Sequence, residues 1–393
     1  MALLGAACSH AKSQQGAYPS AGASKKPRLS LGIARPLPHV RLRTAHTAVW
    51  TGRQMLIWGG EQLVGSRPMA DGLSYTPAGR QWSRIPTAPL APRSDQSAVW
   101  TGRQMIVWGG QNTKLFEIDY GDGAAYDPAR RRWTALPQSP LSPRAYHSAV
   151  WTGSQMILWG GGVTGEQEEV EPTQVVPPGT LFGDGAAFDP ATNQWSKVPK
   201  APIKARSGQV AVWTGSEMIV WGGAGIGETN LAFNDGAAYD PSAQKWRRIA
   251  KAPLSAGFGY GYTGVWTGKQ MVIWGGPKGE GAAYDPAQDA WTRLRKPPFK
   301  GALILPQSVW TGHVVLLWGG NSRADDPSTA TAIGVAYDPA TNTWRPLPQT
   351  PGATGFGQTA VWTGRDMLVW GGFNAKGRFF SGVDYQPPRA FLP

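Results

Sequence analysis

Residues 98–110 read AVWTGRQMIVWGG, and this stretch decides the fold because close copies of it recur along the chain. A Thr-Gly turn joins two short apolar runs, and the glycine permits the positive φ of a tight hairpin. In every copy the two tryptophans are eight residues apart. The copies begin at the Val-Trp-Thr-Gly sequences of Val49, Val99, Val150, Val212, Val265, Val309 and Val361.

Two further elements follow each hairpin. The first has the pattern of residues 123–128, GAAYDP, in which an aromatic residue precedes an Asp-Pro turn. The second begins with a tryptophan and ends at a Leu, Ile or Val followed by proline in most copies. All 20 tryptophans of the chain occupy one of these repeat positions. The last copy lacks the fourth element.

Seven copies of a four-strand unit, about 52 residues apart, predict an all-β, seven-bladed β-propeller. A double glycine after the second strand, an aromatic residue in the third and a tryptophan in the fourth resemble the kelch motif. The resemblance covers residues 31–388 and implies four antiparallel strands in each blade, within the superfamily that includes the galactose-oxidase propeller of kelch type.

The missing fourth strand of the last copy predicts how the ring closes. Residues 32–36, GIARP, align with residues 82–86, WSRIP, so residues near 31–36 should supply the outermost strand of blade seven. We therefore expect a single propeller over residues 31–393. Residues 1–30 are expected to be a signal-like segment and a flexible tether.

The N-terminal sequence MALLGAAC resembles the end of a bacterial lipoprotein signal, with Cys8 as the candidate for lipidation. It departs from that pattern because no basic segment precedes it and because Gly5 stands where leucine is preferred. The resemblance implies an extracytoplasmic protein, either lipid-anchored or secreted. A cytoplasmic protein with a chance cysteine is the alternative.

The amino-acid composition limits the classes of ligand, cofactor and partner that we expect. The net charge of +13 favours anionic ligands in general, but Arg130–Arg132 is the longest basic run and lies in a predicted turn, so nucleic acid is not expected. A single cysteine excludes an intramolecular disulfide and a cysteine metal cluster. The glutamates of residues 166–171 lack the spacing of a calcium loop. We expect no cofactor and no metal. We also expect a monomer, which would contact a membrane only through the lipid anchor.

Candidate ligand residues cluster before the innermost strands, on the face where loops vary in length. An arginine stands seven residues before the first tryptophan in blades one to four, and the sequence supports either an anion pocket at the channel mouth or structural bonds to backbone carbonyls. The full set of candidates is Arg43, Arg93, Arg144, Arg206, His46, Asp95, Tyr146, His147, Tyr260 and Tyr262.

The resemblance also bears on catalysis. Galactose-oxidase chemistry requires a Tyr–Cys crosslink, which Cys8 in the tail cannot supply, and the Asp boxes of sialidases are absent. A kelch epimerase acting on sialic acid would need one acid or base, for which Asp95 or Glu117 could serve. The expected function is a non-catalytic recognition module for a protein, glycan or other anionic ligand. A carbohydrate isomerase, epimerase or lyase is the alternative.

Overall fold

The protein was analysed as a computed structural model. The residues that it describes are 29–31, 41–62, 67–112, 118–163, 179–225, 232–254, 261–276, 278–299, 306–320, 334–348, 356–373 and 382–392. Within these ranges, seven four-stranded antiparallel sheets form the seven blades of a propeller. The predicted fold class is therefore confirmed.

Each blade runs outward from the central channel. The innermost strands are Thr47–Trp50, Ser97–Trp100, Ser148–Trp151, Val210–Trp213, Tyr262–Trp266, Gln307–Trp310 and Phe356–Trp362. The second strands are Met55–Trp58, Met105–Trp108, Met156–Trp159, Met218–Trp221, Met271–Gly275, Val315–Trp318 and Met367–Phe373. The third strands are Gly72–Thr76, Gly123–Asp127, Gly185–Asp189, Gly236–Asp240, Glu280–Asp285, Gly334–Asp338 and Val383–Tyr385.

The outermost strands are Gln81–Ile85, Arg132–Ala135, Gln194–Val198, Lys245–Ile249, Ala290–Arg293 and Thr343–Pro346, with Leu29–Leu31 in blade seven. A small additional hairpin, Gln111–Asn112 with Ile118–Asp119, extends blade two. Single turns of 3-10 helix lie at Pro77–Gly79 and Arg389–Phe391.

An N-terminal strand closes the ring, as the missing fourth strand predicted. Leu29 pairs with Tyr385 and Leu31 with Val383, in antiparallel register on the outer edge of blade seven. The predicted position was two residues too late, because the strand is Leu29–Leu31 and not residues 31–36. Residues 32–36 and Cys8 lie outside the described residues.

The closing strand gives the first testable expectation. A chain lacking residues 1–31 should lose roughly 2–3 kcal/mol of unfolding free energy, because three paired residues leave the ladder and an open edge replaces them. The melting temperature measures this loss. A chain lacking residues 1–26 keeps the strand and is the control. Equal melting temperatures for the two chains would contradict a stabilising role.

Tryptophans fill the wedges between blades. The tryptophan near the end of each second strand is buried, and in six blades it packs against the outermost tryptophan of the next blade, whereas Trp318 meets Tyr385 of blade seven at 6.2 Å. Trp58 and Trp133, for example, have ring centroids 5.9 Å apart, and Trp133 Nε1 donates a hydrogen bond to Pro86 O at 2.9 Å. At the seam where the chain closes, Trp370 packs on Trp82 at 5.5 Å. Apolar burial and these bonds fix each blade on its neighbour.

The two faces of the ring differ. The face that we call the turn face carries the Thr-Gly and Asp-Pro turns, in which a threonine or aspartate side chain caps the backbone, as Asp127 Oδ1 does for Ala129 N at 3.0 Å. The opposite face, the loop face, carries the segments that follow the double glycines and precede the innermost strands. Short bridges such as Thr44 with Glu61 join these segments.

Candidate functional site

The four arginines predicted at the channel mouth are fully buried, at 0% exposure. Each forms an ion pair with the aspartate that precedes the third strand of its own blade. The pairs are Arg43–Asp71 at 2.9 Å, Arg93–Asp122 at 2.6 Å, Arg144–Asp184 at 2.7 Å and Arg206–Asp235 at 2.9 Å. The equivalent positions of blades five to seven lie outside the described residues.

Backbone carbonyls accept hydrogen bonds from each arginine, and in blades two to four an aromatic ring also stacks on the guanidinium. In blade two, Arg93 Nη1 donates to Gly109 O at 3.2 Å and Arg93 Nε to Ala91 O at 3.0 Å. The guanidinium stacks on Tyr120 with 4.0 Å between Cζ and the ring centroid. Phe182 and Phe233 take the place of this ring in blades three and four. These contacts favour the structural interpretation, in which each arginine clamps its loop to the innermost strand.

The two histidines named as candidates form hydrogen bonds to neighbouring blades. His46 Nε2 shares a hydrogen bond with Thr359 Oγ1 at 2.7 Å, and His147 Nε2 shares one with Ser97 Oγ at 2.8 Å. Burial, with a smaller effect of Arg43 or Arg144, lowers the pKa of each imidazole to about 3. Both rings are therefore neutral at physiological pH, and both are buried.

The repeat explains these histidines. At the same position, Gln96 Nε2 donates to Trp58 O of the preceding blade at 3.0 Å, and the Tyr262 ring meets Trp221 edge-on at 5.2 Å. In blades one, two, three and seven the first glycine of the pair makes room for this side chain, since a Cβ on Gly109, for example, would lie 2.6 Å from His147 Cε1. Tyr262 thus contacts the blade interface, and Tyr260 lies outside the described residues.

Asp95 and Tyr146 differ from the other candidates because the structure brings them together on the loop face. They occupy the same repeat position in blades two and three, with φ of 57° and 55°. Blade one has Ala45 there with φ of 52°, and blades four, five and seven have Gly208, Gly261 and Gly357 with positive φ. The left-handed backbone is therefore a feature of the repeat, and at a residue other than glycine it costs about 1–3 kcal/mol.

One glutamine side chain joins the pair. Gln111 Nε2 lies 2.9 Å from Asp95 Oδ2 and 2.7 Å from Tyr146 Oη, and Ser94 Oγ donates to Asp95 Oδ2 at 3.2 Å. Burial raises the pKa of the Asp95 carboxyl. Burial first and the charge of Asp95 next raise the pKa of the Tyr146 phenol, with a contribution from Glu61. Tyr146 is 37% exposed, so the network opens to solvent. We call Glu61, Asp95, Gln111 and Tyr146 the mouth cluster.

Sequence reasoning missed Glu61 and Gln111. Both directly follow a double glycine, where blades three and four have Gly162 and Ala224, and both are buried. A long polar residue directly after the double glycine was the available signal, since the other five blades have Gly162, Ala224, Pro277, Asn321 and Phe373 there. The pairing of Ser94 with Gln111 across the start of the blade then sets Gln111 beside Asp95.

Within the described ranges, no group of three or more His, Cys, Asp or Glu side chains is placed to hold a metal ion. Among the residues that the structure describes, no helix has the length and apolar character needed to cross a membrane.

Comparison with known proteins places the chain in a family. Residues 45–276 match the model of the KLHDC2/KLHL20/DRC7 Kelch-repeats domain. The solved structure described as "Structure of YjhT" superposes with a TM-score of 0.59 at 14% identity, over 78% of this chain and 98% of that one. The fold and the repeat thus define a kelch-type β-propeller. The chain belongs to the kelch-repeat family.

Curated relatives match over shorter stretches. The Kelch-like protein terF of Aspergillus terreus is 24% identical over 131 residues, which is 32% of this chain and 27% of that protein. N-acetylneuraminate epimerase of Haemophilus influenzae is 20% identical over 181 residues, which is 38% of this chain and 44% of that protein. The chain therefore spans less than half the length of the curated relatives that it matches.

Proposed function

We propose that this protein is a binding module for a glycan, which it holds at the mouth cluster on the loop face. The observation that carries the proposal is the network of Asp95, Gln111 and Tyr146, built on two strained residues and open to solvent. A carboxylate and a phenol recognise sugar hydroxyls by hydrogen bonding, and a half-exposed aromatic ring stacks on the apolar face of a sugar.

The charge of the mouth favours a hydroxyl-rich ligand over a simple anion. The four arginines that would have attracted an anion are buried and paired with aspartates. Asp95 and Glu61 give the mouth cluster negative charge instead. The distant similarity to an N-acetylneuraminate epimerase supports a sugar as the ligand class.

A sugar-acting enzyme is the second candidate, and one observation favours it. The Asp95 carboxyl has a raised pKa because it is withdrawn from water, and it lies beside Tyr146, whose side chain is partly exposed. A carboxyl of raised pKa is a better proton acceptor than an ordinary one, and isomerisation or epimerisation of a sugar requires a group that accepts and returns a proton.

A glycan array followed by calorimetry tests the binding site. Asp95→Asn and Tyr146→Phe should each weaken a bound glycan about tenfold or more, because each removes a polar contact with the ligand. Gln111→Ala should weaken it as well by releasing both side chains. Thr192→Ala, at an exposed turn-face position, is the matched control. Glycan affinity that is unchanged in all three variants, or a protein as the sole ligand captured at this face, would refute the proposal.

The enzyme alternative has its own readout. Incorporation of deuterium from D₂O into the bound sugar, followed by NMR, would reveal proton transfer. If the wild type catalyses exchange and Asp95→Asn abolishes it while the glycan still binds, then the site is catalytic. Binding without exchange in the wild type supports the recognition module.

A further inference from the structure

A second pocket lies on the turn face, at the seam between blades seven and one. Its volume is about 630 Å³, within the range of small-ligand sites. The lining includes Trp50, Arg53, Arg80, Asp366 and Asp384. It opens where blade seven has no turn between its third and fourth strands, because the N-terminal strand supplies the fourth. The pocket is thus a consequence of how the ring closes, and it is separate from the mouth cluster.

Blade one departs from the repeat at this seam. In blade two, Asp127 caps the turn after the third strand and pairs with Arg103 Nε at 3.4 Å. Thr76 stands in place of that aspartate in blade one, and it makes no side-chain cap. Arg53, at the position of Arg103, consequently has no ion pair among the described residues. Its guanidinium, like that of Arg80, lines the pocket.

Blade seven departs from the repeat at the same place. Asp384 lies in the third strand where other blades have a small residue such as Ala125 or Ala283. Its neighbour Asp366 is paired with Arg365 at 3.0 Å, whereas Asp384 forms no ion pair within 4 Å among the described residues and feels Arg365 and Arg80 only at longer range. Burial, together with the charge of Asp366, raises the pKa of Asp384 to about 6. A carboxylate that opposes folding and faces a pocket indicates a role in binding.

We infer that this seam pocket binds a sugar acid, whose carboxylate pairs with Arg53 and Arg80 and whose hydroxyls donate hydrogen bonds to Asp384. Arginine offers a planar pair of N–H donors that matches a carboxylate. Trp50 supplies an aromatic wall for the sugar ring. The anionic ligand that the sequence predicted at the buried arginine row thus has a better-matched site on the opposite face.

The test uses D-glucuronate as the probe, with calorimetry at pH 7.5 and D-glucose as the uncharged comparison. The wild type should bind glucuronate at least tenfold more tightly than glucose. Thr76→Asp supplies Arg53 with the partner that the repeat provides elsewhere, and it should weaken glucuronate about tenfold. Arg53→Ala should weaken glucuronate to the same extent, and it replaces Thr76→Asp in the test if that variant has a lowered melting temperature. Arg103→Ala, at the matched position of blade two, should bind like the wild type.

Two further variants separate this site from alternatives. Asp384→Ala places at this position the small residue that other blades have. In the wild type, glucuronate should bind at least tenfold more tightly than propionate, and in this variant the ratio of the two affinities should fall toward one. Asp95→Asn, in the mouth cluster, should leave glucuronate binding unchanged, so failure here and failure of the proposed function are distinguishable. Undetectable binding at millimolar glucuronate, or equal binding by the wild type and Arg53→Ala, would overturn the inference.

Discussion

Lowering the pH from 7.5 to 4.5 should remove about 2–3 kcal/mol of unfolding free energy for each of His46 and His147. Each imidazole is held neutral in the folded chain, with a pKa lowered to about 3, whereas an unfolded histidine titrates near its model value of 6.5. The stabilisation is therefore complete above about pH 6.5, and it is lost as the pH falls toward the folded pKa. Together the two residues should account for about 5 kcal/mol.

The repeat supplies a matched replacement for these histidines. Gln96 and Gln209 occupy the same position in neighbouring blades and donate to Trp58 O and Trp159 O. The double variant His46→Gln, His147→Gln should consequently fold, and its denaturation midpoint should change much less between pH 7.5 and pH 4.5. Denaturant melts at several pH values measure this difference. Asp384 gives an opposite trend, since its raised pKa favours the folded state at acidic pH, so the comparison must be between variants and not with pH alone.

If the double variant and the wild type lose equal unfolding free energy on acidification, then protonation of the two imidazoles does not cause the loss, and the prediction is wrong. The two single variants, His46→Gln and His147→Gln, separate the contributions of the two blade interfaces. His46 joins blade one to blade seven at the closing seam, through Thr359 Oγ1 and the ring of Trp370. His147 joins blades two and three within the ring, through Ser97 Oγ. A larger effect of His46→Gln on unfolding rate would identify the seam as the first place to open.

The sequence determined the blades because the tryptophans perform the same packing task at six of the seven wedges. There a tryptophan at the end of a second strand packs on another in the outermost strand of the next blade, so their spacing specifies the blade, and the absent fourth strand predicts closure by the N-terminus. The bounds of the closing strand were harder to predict, because a three-residue edge strand is too short to show a clear alternation of apolar and polar residues. Leu29–Leu31 was found two residues before its predicted start.

The channel arginines show why a site is harder to predict than a blade. Arginine suits both a ligand carboxylate and a buried ion pair, and the residue type alone does not separate the two roles. A second signal was present. Blades one to four, which carry the arginines, also carry an Asp-Gly pair before the third strand, as at Asp122 and Asp184, whereas blades five to seven have neither. Reading both positions together would have indicated the ion pairs of the structure.

The strongest single substitution should be Arg144→Ala, with an expected loss of about 3–5 kcal/mol. The guanidinium donates to Ser142 O at 2.9 Å and Gly160 O at 3.2 Å, pairs with Asp184 and stacks on Phe182 at 3.8 Å. Removing it leaves a cavity and two carbonyls without their donor. The melting temperature should fall by roughly 6–20 °C, given about 2–4 °C per kcal/mol for large domains.

Two comparisons make this loss specific. Arg103→Ala removes an exposed arginine from an ion pair with Asp127, and it should cost about 0–1 kcal/mol. Arg144→Lys keeps the positive charge but loses the planar set of donors, so it should still lose most of the stability. If Arg144→Ala instead melts like the wild type while an acidic ligand no longer binds, then the arginine row serves a ligand. Loss of stability with ligand binding retained at the seam pocket would instead fix the row as the clamp that holds the loops on the innermost strands.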